Sequence, residues 1–152
     1  MRPLLEKRTY ESDSSERTIA LGADLGRRLR SGNVVALHGP LGAGKTTLVK
    51  GIARSLAVED PVTSPSFTLI AEYDGVRHGR PIVLYHVDLY RIGHPQEVED
   101  LGIEEILNGS GICVIEWAEK AQDFLPETAI VVSINLGKGD KRTVEIEGLP
   151  EP

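Results

Sequence analysis

Cysteine is almost absent. The chain of 152 residues holds one, Cys113, so no disulfide can form within it. Its apolar neighbours, Ile112, Val114 and Ile115, make it a small buried strand residue. Long hydrophobic runs are missing too. No stretch is apolar enough to span a bilayer, and Met1 to Asp13 has no signal-peptide core, so the expectation is a cytoplasmic protein with no membrane contact. Positive charge is in short supply: 17 Lys and Arg face 23 Asp and Glu, for a net charge of -6. That balance argues against direct, non-specific nucleic-acid binding, which needs a surplus of cations against phosphate. None of the four histidines stands at metal-ligand spacing from the single cysteine. There are no repeats and no low-complexity segments.

What is present has the composition of a globular protein, 40% hydrophobic, and the length of one domain, residues 1–152. Lys7 to Glu11 reads as a short edge strand. Asp13-Ser14-Ser15-Glu16 resembles a capping box opening a helix to about Arg30, with Leu21, Leu25 and Leu29 along one face. Val34 to Leu37 is a buried strand. Thr46 to Leu56 is a helix with Leu48, Ile52 and Leu56 in line. Thr68–Tyr73 and Ile82–Leu89 read as a hairpin pair with a turn at Asp74-Gly75. Pro95 opens an acidic helix to about Leu107. Ile112 to Ile115, Thr128 to Leu136 and Lys141 to Glu147 complete the strands. This order predicts an α/β fold with a mixed, mostly parallel central sheet flanked by helices.

Between the Val34 strand and the Thr46 helix lies Gly39-Pro40-Leu41-Gly42-Ala43-Gly44-Lys45-Thr46, which fits G-x-x-x-x-G-K-[ST] at every fixed position. Glycines let successive N–H groups turn inward onto phosphate oxygens, and the helix that starts there favours an anion at its N-terminus. Lys45 would neutralise the β- and γ-phosphates, and the Thr46 hydroxyl could ligate Mg²⁺. The pattern predicts a P-loop NTPase fold.

Such a loop needs a carboxylate at the end of a neighbouring strand. Two strands end in one: IVLYHVD at Asp88 and ICVIE at Glu116. One would hold the metal, the other polarise the attacking water. His86, two before Asp88, shares its side of the strand. The Pro61–Phe67 loop, PVTSPSF, carries hydroxyls at Thr63, Ser64 and Ser66 where nucleotide switches reach over a γ-phosphate. Arg91, just past Asp88, either senses phosphate or pairs with an acid. The run Glu97, Glu99, Asp100, Glu104, Glu105 is read as a solvated face.

Together GPLGAGKTT, VTSPSFTL, and HVDLYR followed by IEWAEK resemble the TsaE (YjeE) family of small bacterial P-loop ATPases, from the first helix to about Pro126. The resemblance implies a role in making threonylcarbamoyladenosine in tRNAs that read codons beginning with A. It implies work beside a TsaD–TsaB transferase, with ATP binding or hydrolysis resetting that complex and tRNA met only through it. It puts the phosphate-binding stretch on Gly42, Ala43, Gly44, Lys45, Thr46 and Thr47. It puts the magnesium site on Thr46 and Glu116, with Asp88 close by, and gives Trp117 a part in shaping the site. The family's serine-proline loop is commonly S-P-T-F; here it reads Ser64-Pro65-Ser66-Phe67. By looser analogy, the adenine would lie between Ser14 and Arg142.

Rival readings have their own requirements. A small-molecule kinase needs a lid with arginines, and Arg77, Arg80 and Arg91 are the candidates, although no lid insertion is visible. A GTPase needs N-K-x-D, which Asn135-Leu136-Gly137-Lys138 does not supply. A non-hydrolysing ATP-dependent assembly factor is the third.

Overall fold

The computed structural model describes residues 7–65 and 67–150. Seven strands form one sheet: β1 (Lys7–Ser12), β2 (Val34–His38), β3 (Ile70–Arg77), β4 (Arg80–Asp88), β5 (Ile112–Glu116), β6 (Ile130–Leu136) and β7 (Arg142–Glu147). Their order across the sheet is β1-β7-β6-β2-β5-β4-β3. The central pairings, β6 with β2, β2 with β5 and β5 with β4, are parallel. Antiparallel hairpins add β3 at one edge, and β7 with β1 at the other.

Alternation along the central strands divides two cores. Val35 and Leu37 face one side with Val114, while Val34 and Ala36 face the other with Cys113 and Ile115. Helices α1 (Ser15–Arg28) and α2 (Lys45–Ser55) cover the first side through Leu21, Leu25, Leu48 and Ile52. Two short helices, α3 (Pro95–Asp100) and α4 (Ile103–Leu107), cover the second with the 3-10 segment Ala118–Phe124. Both faces are dry, which is why β2 and β5 are nearly unbroken apolar runs.

Several boundaries shift from the sequence reading. Ser14, not Asp13, caps α1: its hydroxyl accepts the Arg17 N–H at 3.1 Å. The helix stops at Arg28, because Leu29 turns extended into the core. Asp74-Gly75 does not turn; β3 runs through it and the hairpin reverses at His78-Gly79. Leu56 explains this. Its carbonyl accepts the Val76 N–H, and it packs against Gly75 where a Cβ would collide. The acidic helix breaks at Gly102, whose φ of +72° is left-handed, and its five acids are all solvent-exposed. Among the described residues no helix is long and apolar enough to cross a membrane.

Helices α1 and α2 meet backbone to backbone. A Cβ on Gly51 would come within 2.0 Å of the Ile19 carbonyl oxygen, and one on Gly22 within 2.1 Å of that of Leu48. This contact holds α2, and with it the loop at its start, against the rest of the protein. Gly51→Ala should therefore destabilise by about 2 kcal/mol or more despite alanine's better helix propensity, read as a lower urea midpoint. An unchanged or higher midpoint would contradict the contact. Burial pushes the Cys113 thiol from 9.0 up to about 12. Between those values the unfolded chain loses this proton while the folded one keeps it, so this group lowers stability as pH rises through the window. Iodoacetamide at pH 9 should label Cys113 rapidly only after denaturation; fast labelling of the native protein would rule out its burial.

Candidate nucleotide and metal site

The glycine-rich loop joins β2 to α2 at the carboxyl edge of the parallel strands. Its backbone is one that glycine permits: φ is +79° at Gly42 and +105° at Gly44. Gly44 is also the N-cap of α2 and offers no side chain to the first-turn N–H groups. Those donors remain for an anion, and the dipole of an 11-residue helix adds to their pull.

Lys45 is 95% buried, at 5% exposure. Its ammonium donates to the carbonyls of Gly39 and of Pro40, the latter at 3.0 Å, and lies 4.1 Å from the centre of the Trp117 ring. Burial pushes its pKa below the ordinary 10.5, against the opposing pull of Glu116, Asp88 and Glu119. Trp117 reaches this position through a left-handed backbone, φ +59° and ψ +42°, which costs a non-glycine residue about 1–3 kcal/mol.

The two acids at the strand ends are neighbours, for Asp88 and Glu116 are register partners between β4 and β5. Both are buried. Glu116 Oε2 accepts two hydrogen bonds: from Thr46 Oγ1 at 3.0 Å and from His86 Nε2 at 2.5 Å. His86 is wholly buried, and its Nδ1 has no hydrogen-bond partner among the described residues. A carboxylate opposite Nε2 places the imidazole proton there. A proton on Nδ1 instead would be a buried donor without an acceptor, a cost of about 1–3 kcal/mol. Asp88 is differently engaged. Its Oδ2 accepts from Ser64 Oγ at 2.8 Å and its Oδ1 from the Tyr90 N–H at 2.9 Å. Ser64 thus ties the Pro61–Phe67 loop to the end of β4. Ser66 lies outside the described residues.

Lys45, Thr46, Ser64, Asp88, Glu116 and Trp117 line one depression of about 450 Å³. A second, of about 340 Å³, lies beyond the loop and is lined by Ser14, Thr18, Ala43, Asp140 and Arg142 among others. Gly42, Gly44 and Thr47 border both. The structure therefore brings the phosphate-loop residues together with Ser64, Asp88, Arg91, Glu116 and Trp117 around one pocket and with Ser14 and Arg142 around the adjoining one, whereas Thr63, Arg77 and Arg80 line neither. The Ser14 hydroxyl is committed to capping α1, and Arg142 donates to the carbonyls of Gly139 and Lys141. Arg91 lies over the exposed Phe67 ring, 4.7 Å from its centre.

Sequence reasoning missed two contributors. The His86 contact with Glu116 crosses two strands, and its only trace was the same-side position relative to Asp88. Lys120, the last residue of IEWAEK, donates to the carbonyls of Tyr90 and Ile92, bracing the turn after Asp88, a role its place in the motif did not disclose. A larger cavity, about 960 Å³, is elsewhere, beside Arg77 and Arg80.

Among the described residues no three His, Cys, Asp or Glu side chains cluster to hold a metal alone. Thr46 and Glu116 offer a hydroxyl and a carboxylate at hydrogen-bond distance, beside a loop built for anions. That donor set fits an oxygen-loving cation such as Mg²⁺ that takes its remaining ligands from phosphate and water.

A family model for the threonylcarbamoyl adenosine biosynthesis protein TsaE matches residues 12–144. The chain belongs to the TsaE family. The TsaE protein of Treponema pallidum is 41% identical over 135 residues, covering 89% of this chain and 96% of that one. That of Nostoc is 46% identical, covering 86% and 80%, and that of Bacillus subtilis 38%, covering 89% and 82%. The crystal structure of Bacillus subtilis YdiB superposes with a TM-score of 0.81 at 32% identity, covering 97% of this chain and 89% of that one. The family model and the TsaE relatives are named for threonylcarbamoyladenosine biosynthesis.

Ser64→Ala should free the Pro61–Phe67 loop from Asp88. The bond lost is charge-assisted and joins an exposed hydroxyl to a buried carboxylate, about 1 kcal/mol, so amide exchange near Leu69 and Ile70 should quicken about fivefold. Unchanged exchange would show that the loop is held by other contacts.

Proposed function

We propose that this protein binds and hydrolyses ATP with Mg²⁺, and that it couples this cycle to turnover of a TsaD–TsaB transferase modifying tRNA in the cytoplasm. The observation that carries the ATPase reading is the hydrogen bond from Thr46 to Glu116, which sets a hydroxyl and a carboxylate side by side at the start of the α2 helix, next to Lys45. Family membership supports the tRNA context.

The phosphates would lie along Gly42 to Thr47, meeting the first N–H groups of α2. Thr46 and Glu116 would hold Mg²⁺, which would supply positive charge against the phosphates. Lys45 would leave the Gly39 and Pro40 carbonyls for the γ-phosphate, stabilising charge as water attacks in line. Asp88 would support the metal's water shell or orient the attacking water. Its Oδ2 is open to either task once Ser64 turns toward phosphate. The adenine would occupy the second depression, with the Arg142 guanidinium available to stack on it. Bonds to carbonyls leave that face of the guanidinium plane uncommitted.

The kinase reading loses support. Arg77 donates to the Gly26 and Arg27 carbonyls at the end of α1. Arg80 begins β4 while Asp88 ends it, a separation of roughly 26 Å. Neither of these reaches the phosphate loop; of the three candidates only Arg91 lines the depression beside it.

The test is ATP hydrolysis with Mg²⁺, by the protein alone and with transferase and tRNA. Stimulation accompanied by repeated rounds of modification is expected. Lys45→Ala and Glu116→Ala should each lower turnover at least about a hundredfold. Near wild-type rates in either variant would refute the assignment. Equal rates with and without transferase, with no effect on modification, would refute the coupling.

A further inference from the structure

The proposed metal pair does not stand alone. Glu116 sits at 3% exposure and His86 at 0%, so neither side chain can be oriented by bulk water. The Glu116 carboxylate is held by two donors, and both converge on Oε2. One of them, Thr46, is itself a proposed ligand. A hydroxyl that turns its oxygen to a cation keeps one proton to donate, so its hold on the carboxylate depends on the same ion. His86 Nε2 is the donor that does not. It comes from β4, the strand paired with that of Glu116, and the imidazole is wholly buried.

The ring has nothing else to do. Its Nδ1 makes no hydrogen bond among the described residues, although it is enclosed. A buried imidazole with an orphaned nitrogen is an unfavourable choice for a core position, where leucine would fill the same space without a polar group. Its single polar contact is the one to Glu116. Oε1 of Glu116 makes no hydrogen bond among the described residues, so fixing Oε2 fixes which oxygen is left for the pocket.

We infer that His86 is a positioning residue: its Nε2–H fixes the Glu116 carboxylate so that the second oxygen is presented to Mg²⁺ before the ion arrives. This rests on the Mg²⁺–ATP reading of the site. Outer partners of metal ligands are typically worth ~10–100-fold in metal affinity, which sets the scale. The role is confined to the metal half of the site. The phosphates meet the loop backbone and Lys45, with which His86 makes no hydrogen bond.

The experiment compares wild type, His86→Leu and His86→Gln by calorimetry with a non-hydrolysable ATP analogue, in EDTA and across a Mg²⁺ titration. Emission of Trp117, the only tryptophan, serves as a second readout. The Gln amide nitrogen can reach the place of Nε2; Leu fills the space without a donor. In His86→Leu the Mg²⁺ midpoint should rise about tenfold, with affinity in EDTA within about twofold of wild type. His86→Gln should recover most of the shift. If His86→Leu does not fold, His86→Met, flexible and donor-free, takes its place with the same expectation. An unchanged Mg²⁺ midpoint, or equal weakening with and without Mg²⁺, would overturn the inference and leave the function intact. Failure of the wild type to bind the analogue in a Mg²⁺-dependent way would overturn both.

Discussion

One carboxylate oxygen ties the functional end of this protein together. Glu116 Oε2 receives a hydroxyl from the first turn of α2 and an imidazole from β4, while its own residue ends β5. Three elements far apart in sequence are thereby fixed at one point. A buried carboxylate tolerates loss of water only when donors replace it, so the arrangement is stable as a set and costly to break singly. Trp117 must follow this glutamate in a left-handed turn, and that turn puts the indole on Lys45.

The geometry requires a rigid support. Parallel strands β4, β5 and β2 end at the same edge, bringing Asp88, Glu116 and the start of the glycine loop side by side. The α2 helix is held by glycine contacts with α1 closer than any side chain would allow. Apolar packing on both faces leaves the sheet no freedom to shift. Side chains placed at strand ends inherit that stiffness, whereas Ser64 ties the Pro61–Phe67 loop to Asp88.

That contrast separates two kinds of acid. Glu116 is bonded to groups in regular elements, and Asp88 to a loop hydroxyl and a turn amide. A ligand can compete for Ser64 without disturbing the sheet. Asp88 is therefore suited to reporting what occupies the pocket, and Glu116 to defining it. The neighbouring depression at Ser14 and Arg142 shares the loop as a wall, with Gly42, Gly44 and Thr47 lining both.

Local signals carried much of this. The loop motif, the two strand-end acids and the leucine stripes of α1 and α2 were legible because each depends on residues near in sequence. Turn and break positions were less so. Asp74-Gly75 has the composition of a turn, yet β3 continues through it because Leu56 pairs with and packs against that stretch. The sequence by itself determined the chemistry available: which residues could bind phosphate, which could bind a cation, and the family they mark. Only tertiary structure decided how they are held. The pairing of His86 with Glu116 and of Ser64 with Asp88 follows from strand order and register, which are set by long-range packing and leave no local trace in the chain.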